Sequence, residues 1–237
     1  MLGTSYTGMN RNRKGISTVT EASTCQYCYR DGTLCGRPFS QSGKEEDHCY
    51  WHDCSRIKNE PDVKEKLEAL ARAGECLEGF SLRNADLEGI NLVNYGAKVG
   101  FNLTDVDLYR ANLQGAHLFK VILNGASLMK SDLRYANLHC ADLCGSNILG
   151  VKFDGAKIEQ IAWGESLLQD QQAETARSDG NREMMLDYYQ QSEEIYRNLR
   201  KAAEGRGLFE LAGDFFHREM VMRRLQMPAN SYRRLIS

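Results

Sequence analysis

No stretch of this chain approaches the ~20 consecutive apolar residues that a membrane-spanning helix needs. Residues 1–15 are polar and basic, without the apolar run of a secretory signal. Charge of one sign is also missing. The formal net charge is −2, which gives no global attraction to nucleic acid or acidic lipid. The chain has no glycine-rich phosphate loop, no Gly-x-Ser-x-Gly and no carboxylate pair placed for acid–base work. His217-Arg218-Glu219-Met220 is not a zinc-protease helix, which needs a second histidine one turn on. These absences argue against an enzyme.

Cysteine, by contrast, is plentiful. Eight cysteines without a signal segment point to a reducing, cytoplasmic setting, where clustered thiols bind metal more often than they form disulfides. Cys25-Gln26-Tyr27-Cys28 is followed by Cys35, His48, Cys49, His52 and Cys54, with glycines and Pro38 to turn the chain between them. Structural zinc takes four such ligands in a tetrahedron. Cys49 and His52 can bite from one turn, Cys35 adds a third ligand, and Cys25 or Cys28 the fourth. The preferred set is Cys25, Cys35, Cys49 and His52, with Cys28 as the substitute or supporting thiol. The spacing is not that of a nucleic-acid-binding finger, so a small structural knuckle is expected, with Tyr50 and Trp51 as its packing or contact residues.

The centre of the chain is periodic. From Phe80 to Gln160 it reads in fives, with one irregular stretch at Tyr95–Gly100. The middle position is Leu at 82, 87, 92, 103, 108, 113 and onward to 143, then Ile148, Phe153 and Ile158; two residues earlier stands a mostly small residue, such as Ala85, Ala111, Ser131 or Ala141. A period of five matches neither the 3.6 of a helix nor the 2.0 of a strand. It fits a chain that turns a corner every five residues and points its middle residue inward, so that four sides make one coil and coils stack as a solenoid. Counting Tyr95–Gly100 as one side of six with a bulged residue gives sixteen sides, hence four coils, re-entering register at Phe101. Four coils at ~4.8 Å spacing stand only about 19 Å tall. His117 and His139 fall on outward positions, where solvation is the default.

Ala85-Asp86-Leu87, Ala111-Asn112-Leu113, Ala136-Asn137-Leu138 and Ala141-Asp142-Leu143 match the Ala-(Asp/Asn)-Leu-X-X pattern of the pentapeptide-repeat family, which this segment resembles. The resemblance implies a mainly β solenoid, a right-handed quadrilateral β-helix.

The flanks are expected to cover the two open ends of the stack. The expected divisions are a disordered lead-in over 1–22, the metal-binding knuckle over 23–60, a capping helix within 61–79, the β-helix over 80–164 and a helical hairpin with a basic tail over 165–237. The capping helix starts at Asp62, with Glu65 completing a capping box and Val63, Leu67, Leu70 and Ala71 on one face. Ile161, Trp163, Leu167 and Leu168 seal the far end. Two helices then follow, over Arg182 to Glu204 and Leu208 to Gln226, turning at Gly205-Arg206-Gly207 and ending at Pro228.

The hairpin resembles a single tetratricopeptide unit, with Gly205, Phe209, Ala212 and Phe216 in that family's positions. One such unit does not bury both its faces alone. Its aromatic, methionine and arginine residues, Phe215, Phe216, Met222, Arg223 and Arg224 above all, are either a surface for a protein partner or for self-association, or packing within the chain. The order knuckle, repeats, then Gly-Leu-Phe-Glu-Leu-Ala-Gly-Asp-Phe-Phe-His-Arg-Glu-Met at 207–220 resembles a bacterial class in which a two-span, potassium-channel-like pore commonly follows. That resemblance implies a cytoplasmic regulatory or assembly module attached to a membrane beyond residue 237. The alternative is a standalone soluble adaptor. DNA mimicry toward gyrase, known in the same repeat family, needs a long acidic rod, and 80–160 carries eight acids against eight bases.

Overall fold

The computed structural model describes residues 24–39 and 47–228; the expected lead-in and the basic tail with Arg233 and Arg234 lie outside the described residues. In the repeats, the corners are made by up to three features that the five-residue motif encodes. The carbonyl of the inward residue accepts from the N–H three residues on, as in Ala85 N–Leu82 O (3.2 Å), Ala116 N–Leu113 O (3.0 Å) and Ala141 N–Leu138 O (2.8 Å). The third residue of the turn takes positive φ, whether or not it is glycine: +55° at Asn84, +61° at Lys130 and Tyr135, +66° at Gly115. The Asp or Asn before the inward residue then accepts from the N–H two residues on, as in Tyr109 N–Asp107 Oδ1 (3.0 Å) and His139 N–Asn137 Oδ1 (3.2 Å). This bond explains the Asp/Asn preference of the motif.

Four such corners return the chain above itself after twenty residues. Asn102 pairs in parallel with Ile122 and Ile122 with Asp142, while Asn112 pairs with Asp132 and Asp132 with Lys152. The bonds between coils are short, for example Leu108 N–Ser127 O at 2.7 Å and Ser127 N–Val106 O at 2.9 Å. Leu113, Leu133 and Leu138 and the small residues Ala111, Ala116, Ser131 and Ala136 are all buried, filling the coil. The expectation of a mainly β fold needs correction: a side of five residues with a turn in it leaves one bridging residue, so the described residues hold isolated bridges but no extended strand.

The irregular stretch also departs from expectation. Ser81 pairs with Asp107, Asp86 with Asn112 and Asn91 with His117, a spacing of twenty-six where later coils have twenty. All six residues of 95–100 are therefore inserted between two sides, rather than forming one side with a bulge. Tyr95 and Val99 stand exposed on this loop. The side that the count loses there is regained earlier. Leu77 is buried, and Gly79 N donates to Thr104 O (2.9 Å), so the first side begins before Phe80.

Both ends are covered. At the first coil, the edge N–H of Ser81 donates to the carbonyl of Trp51 (2.8 Å), whose indole stacks on Phe80 at 5.0 Å. Beside it lies α1 (Val63–Arg72), with Val63, Leu67 and Ala71 buried and Glu68 accepting from the edge N–H of Asn91 (2.8 Å). The expected capping box of α1 does not form; Asp62 makes no side-chain cap bond and pairs with Lys66 instead (2.8 Å). At the other end the chain forms three helices, not two: α2 (Leu168–Ser178), α3 (Arg182–Gly205) and α4 (Phe209–Leu225). Gln169 of α2 donates to Asn147 Oδ1 (2.9 Å), and Asp170 accepts from both Leu167 N–H and the Tyr196 hydroxyl. Trp163 sits edge-on between Phe153 of the last coil and Phe215 of α4. Glu219, buried in α4, is held by Arg197 and Arg200 of α3.

Two glycines at positive φ separate backbone strain from packing. An alanine Cβ at Gly115 (φ +66°) meets nothing within 4 Å, whereas at Gly79 (φ +70°) it falls 1.9 Å from the Tyr27 hydroxyl oxygen. Tyr27 is itself stacked on His52, so displacing it gives up that contact. Gly115→Ala is expected to cost about 1 kcal/mol from the left-handed conformation alone, and Gly79→Ala at least twice as much. Denaturant melts of the two variants check this, and equal losses would contradict the described seat of Tyr27 on the first coil.

Candidate metal centre

Two short pieces of backbone build the site. Residues 24–38 form a small antiparallel hairpin with bridges Thr24–Pro38 and Cys28–Leu34. Cys25 N donates to Arg37 O (2.8 Å) and Cys35 N to Tyr27 O (2.9 Å), which sets Cys25 and Cys35 toward the same side. The second piece is a tight turn in which His52 N and Asp53 N both donate to Cys49 O (3.1 and 3.0 Å). It delivers Cys49 and His52 together, as their spacing implies.

The ligand atoms of Cys25, Cys35, Cys49 and His52 lie within 4.8 Å of one another. His52 Nδ1 is 3.5 Å from Cys25 Sγ and 3.4 Å from Cys49 Sγ, and the Cys35 and Cys49 sulfurs are 3.9 Å apart. A tetrahedral ion with bonds of ~2.3 Å to sulfur and ~2.05 Å to nitrogen sets S···S at about 3.8 Å and S···N at about 3.5 Å. Those three separations match a closed tetrahedral site, and this cluster of four could bind a metal ion.

The surroundings orient the ligands. His52 Nε2 lies 2.9 Å from the Glu78 carbonyl, so it carries the proton and leaves Nδ1 free as the ligand nitrogen. Its ring lies flat on Tyr27 (3.9 Å, 5°) and meets the edge of Phe80. Burial lowers the His52 pKa to about 4, keeping the imidazole neutral and able to ligate. Burial pushes the Cys49 thiol up to about 12. Burial also opposes ionisation of Cys35, but hydrogen bonds from Tyr29 and the Arg37 backbone outweigh it and hold that thiol below its usual value. Metal entry therefore displaces the proton that burial holds on the Cys49 thiol.

Cys28, named with the other four from sequence, lies apart. It is exposed, and its Sγ faces the Tyr29 carbonyl at 3.6 Å. Cys28 follows Cys25 by three residues in extended chain, and an odd step points to the opposite face. His48 and Cys54 also stand outside the set of four. Tyr27, Tyr29, Arg37 and Glu78 were not anticipated from sequence. Glu78 contributes through its carbonyl, which no side-chain pattern reports; the others carried no mark beyond their nearness to cysteines.

At the other end, the residues named as an interaction surface divide. Phe215 is buried between Trp163 and Tyr196, and Met222, half-buried, packs against the core. Phe216 is 50% exposed, with the Arg200 guanidinium 5.8 Å over its ring. Arg223 is exposed and Arg224 half-buried.

Comparison with known proteins agrees with the repeat architecture. The model of pentapeptide repeats matches residues 99–125 and 111–150, with eight copies. Residues 99–150 therefore carry pentapeptide repeats. Among solved structures, the pentapeptide repeat protein Rfr23 from the cyanobacterium Cyanothece is 28% identical over 38% of this chain and 57% of its own, with a TM-score of 0.35. HetL from the cyanobacterium Nostoc, involved in heterocyst differentiation regulation, is 30% identical over 35% of this chain and 38% of its own, at a TM-score of 0.27. A pentapeptide repeat protein of the Arabidopsis thaliana thylakoid lumen is 24% identical over 47% of this chain and 79% of its own, also at 0.27. The chain thus spans 57% and 38% of the lengths of the first two. No curated protein matches it.

The geometry separates the cysteines by experiment. Cys49→Ser is expected to abolish metal retention and to lower the melting temperature, whereas Cys28→Ser keeps both at the parent level. Elemental analysis of the purified variants with parallel melts checks this, and equal metal loss in the two would contradict the assignment of the four ligands.

Proposed function

We propose that the chain is a non-catalytic protein-interaction module: a rigid pentapeptide stack with a structural zinc knuckle at one end and a helical docking unit at the other. The observation that supports this best is the contrast between inside and outside. Leucines and small residues fill the stack at 0–1% exposure at positions such as Leu113, Ala116, Leu138 and Ala141, leaving no interior chamber for a substrate, while α4 turns Phe209 and Phe216 to solvent. Three thiols and one imidazole form a soft, closed set that suits Zn²⁺, and a site without an open position serves structure rather than catalysis. His52 and Trp51 tie that knuckle to the first coil through Glu78 and Ser81, so the ion supports the stack.

The finer reading rests on the sequence resemblance of 207–220. On it, the chain is the cytoplasmic regulatory or assembly region of a bacterial, potassium-channel-like membrane protein. Among the described residues no helix is long and apolar enough to cross a membrane, so on this reading they are the water-facing part. The resembling segment coincides with α4 and its exposed aromatics.

The native protein is expected to exceed the 26.8 kDa of this chain and to sediment with membranes when its own cell is fractionated. A soluble protein of 26.8 kDa would overturn the channel reading and favour the standalone adaptor.

A further inference from the structure

A cleft of about 310 Å³ lies between α4 and the stretch that leaves the last coil. Trp163 lines one side, the α4 residues Leu211, Asp214, Phe215 and Arg218 the other, and Tyr196 of α3 adjoins both. The four α4 residues share one helix face by their three/four spacing. The body of the cleft is aromatic and aliphatic, and Trp163 stays half-buried although Phe153 and Phe215 hold it edge-on. The two charged residues of this face are both exposed. Asp214 and Arg218 stand four apart on one helix, where opposite charges commonly pair. Arg197–Glu193 and Arg200–Glu204 do so on α3. Arg218 instead donates through Nη1 to the Glu165 carbonyl (3.0 Å) and the Tyr196 hydroxyl (3.4 Å). Among the described residues Asp214 has no hydrogen-bonding or ion-pair partner, and Arg218 pairs with no carboxylate. An acid and a base thus stand side by side at an apolar cleft, each unpaired by the other.

We propose that this cleft binds a free α-amino acid with a large apolar side chain: its ammonium meets Asp214, its carboxylate meets Arg218, and its side chain lies against Trp163 and Phe215. The charges select the ligand class. An apolar acid would set its carboxylate near Asp214 with no compensating ammonium, and an apolar amine would leave Arg218 unmatched. A peptide end brings one of the two charges, whereas an amino acid carries both on a single carbon. The volume is at the lower end for ligand sites, which suits a molecule of this size. Glu165 and Tyr196 already fix the guanidinium, so binding orders little that is loose. The ligand would touch both the stretch leaving the last coil and α4, and so brace the helical unit against the stack. This inference goes beyond the interaction-module reading and does not depend on it.

Calorimetric titration of the 237-residue chain with L-leucine and with L-phenylalanine tests this. The expected result is saturable binding, a raised melting temperature and a shift in tryptophan emission. Trp163→Phe should remove that shift, while Trp51 at the other end of the stack still emits. N-acetyl-L-leucine lacks the ammonium and L-leucinamide the carboxylate, and each should bind roughly tenfold more weakly than L-leucine. Glycine, without a side chain to bury, should bind more weakly still. Asp214→Asn should weaken L-leucine roughly tenfold with unchanged helical circular dichroism, since Asp214 has no partner to lose. Glu210→Gln, one turn away and outside the cleft, should leave binding at the parent level. Absence of binding for both amino acids up to the order of 10 mM overturns the proposal. Binding that the two blocked analogues match, or that Asp214→Asn leaves intact, overturns it too. The interaction-module reading survives each of these failures, because none of them touches the stack or its other surfaces.

Discussion

A turn closes at each inward leucine of the regular repeats, and the rest of the molecule depends on it. The carbonyl of the inward residue is bound three residues on, the turn's third residue is held at positive φ, and the Asp or Asn side chain ties off the N–H two residues along. Glycine takes positive φ freely, but Asn84, Lys130, Tyr135 and others adopt it at a cost of ~1–2 kcal/mol each. That strain persists because each coil binds its neighbours through short backbone bonds and a filled interior. The stack is cooperative for the same reason: no single coil buries its leucines alone.

A stack of this kind leaves two edges of backbone N–H and C=O groups. The chain covers them with different chemistry. At the start, Trp51 and Glu68 each take an edge N–H, and the Trp51 carbonyl that does so lies one residue before His52, a member of the candidate metal cluster. At the end, Gln169 reaches Asn147, and Trp163 with Phe215 joins the last coil to α4. The metal centre and the helical unit are thus parts of the stack's closure. Function on the present account sits in what the second cover leaves exposed.

The period of five was legible because each side places its leucine and its small residue at fixed positions. What the sequence hid follows from physical ambiguities. Residues 95–100 are close to one side in length, and composition does not distinguish a bulged side from an insertion; only the pairing of Asn91 with His117 does. Leu77 escaped because Glu75 stands where the motif has a small residue. Helix α2 escaped because its buried face is Gln169, Ala173 and Ala176, with no apolar stripe to count. In the metal centre, Cys25 and Cys28 are equal by spacing, and the parity of an extended hairpin separates them. Phe215 and Phe216 are equal by composition too, since α4 is apolar on both sides, and only the Trp163 contact shows which one is inside.

The central claim is that the metal knuckle holds the first edge of the stack, and amide hydrogen exchange with and without a chelator tests it most directly. The account predicts that chelation removes protection from Ser81 and the rest of the first coil, while amides such as Leu113, Leu118 and Leu123, bonded between inner coils, stay protected. Unchanged protection at Ser81 in the metal-free protein would contradict it.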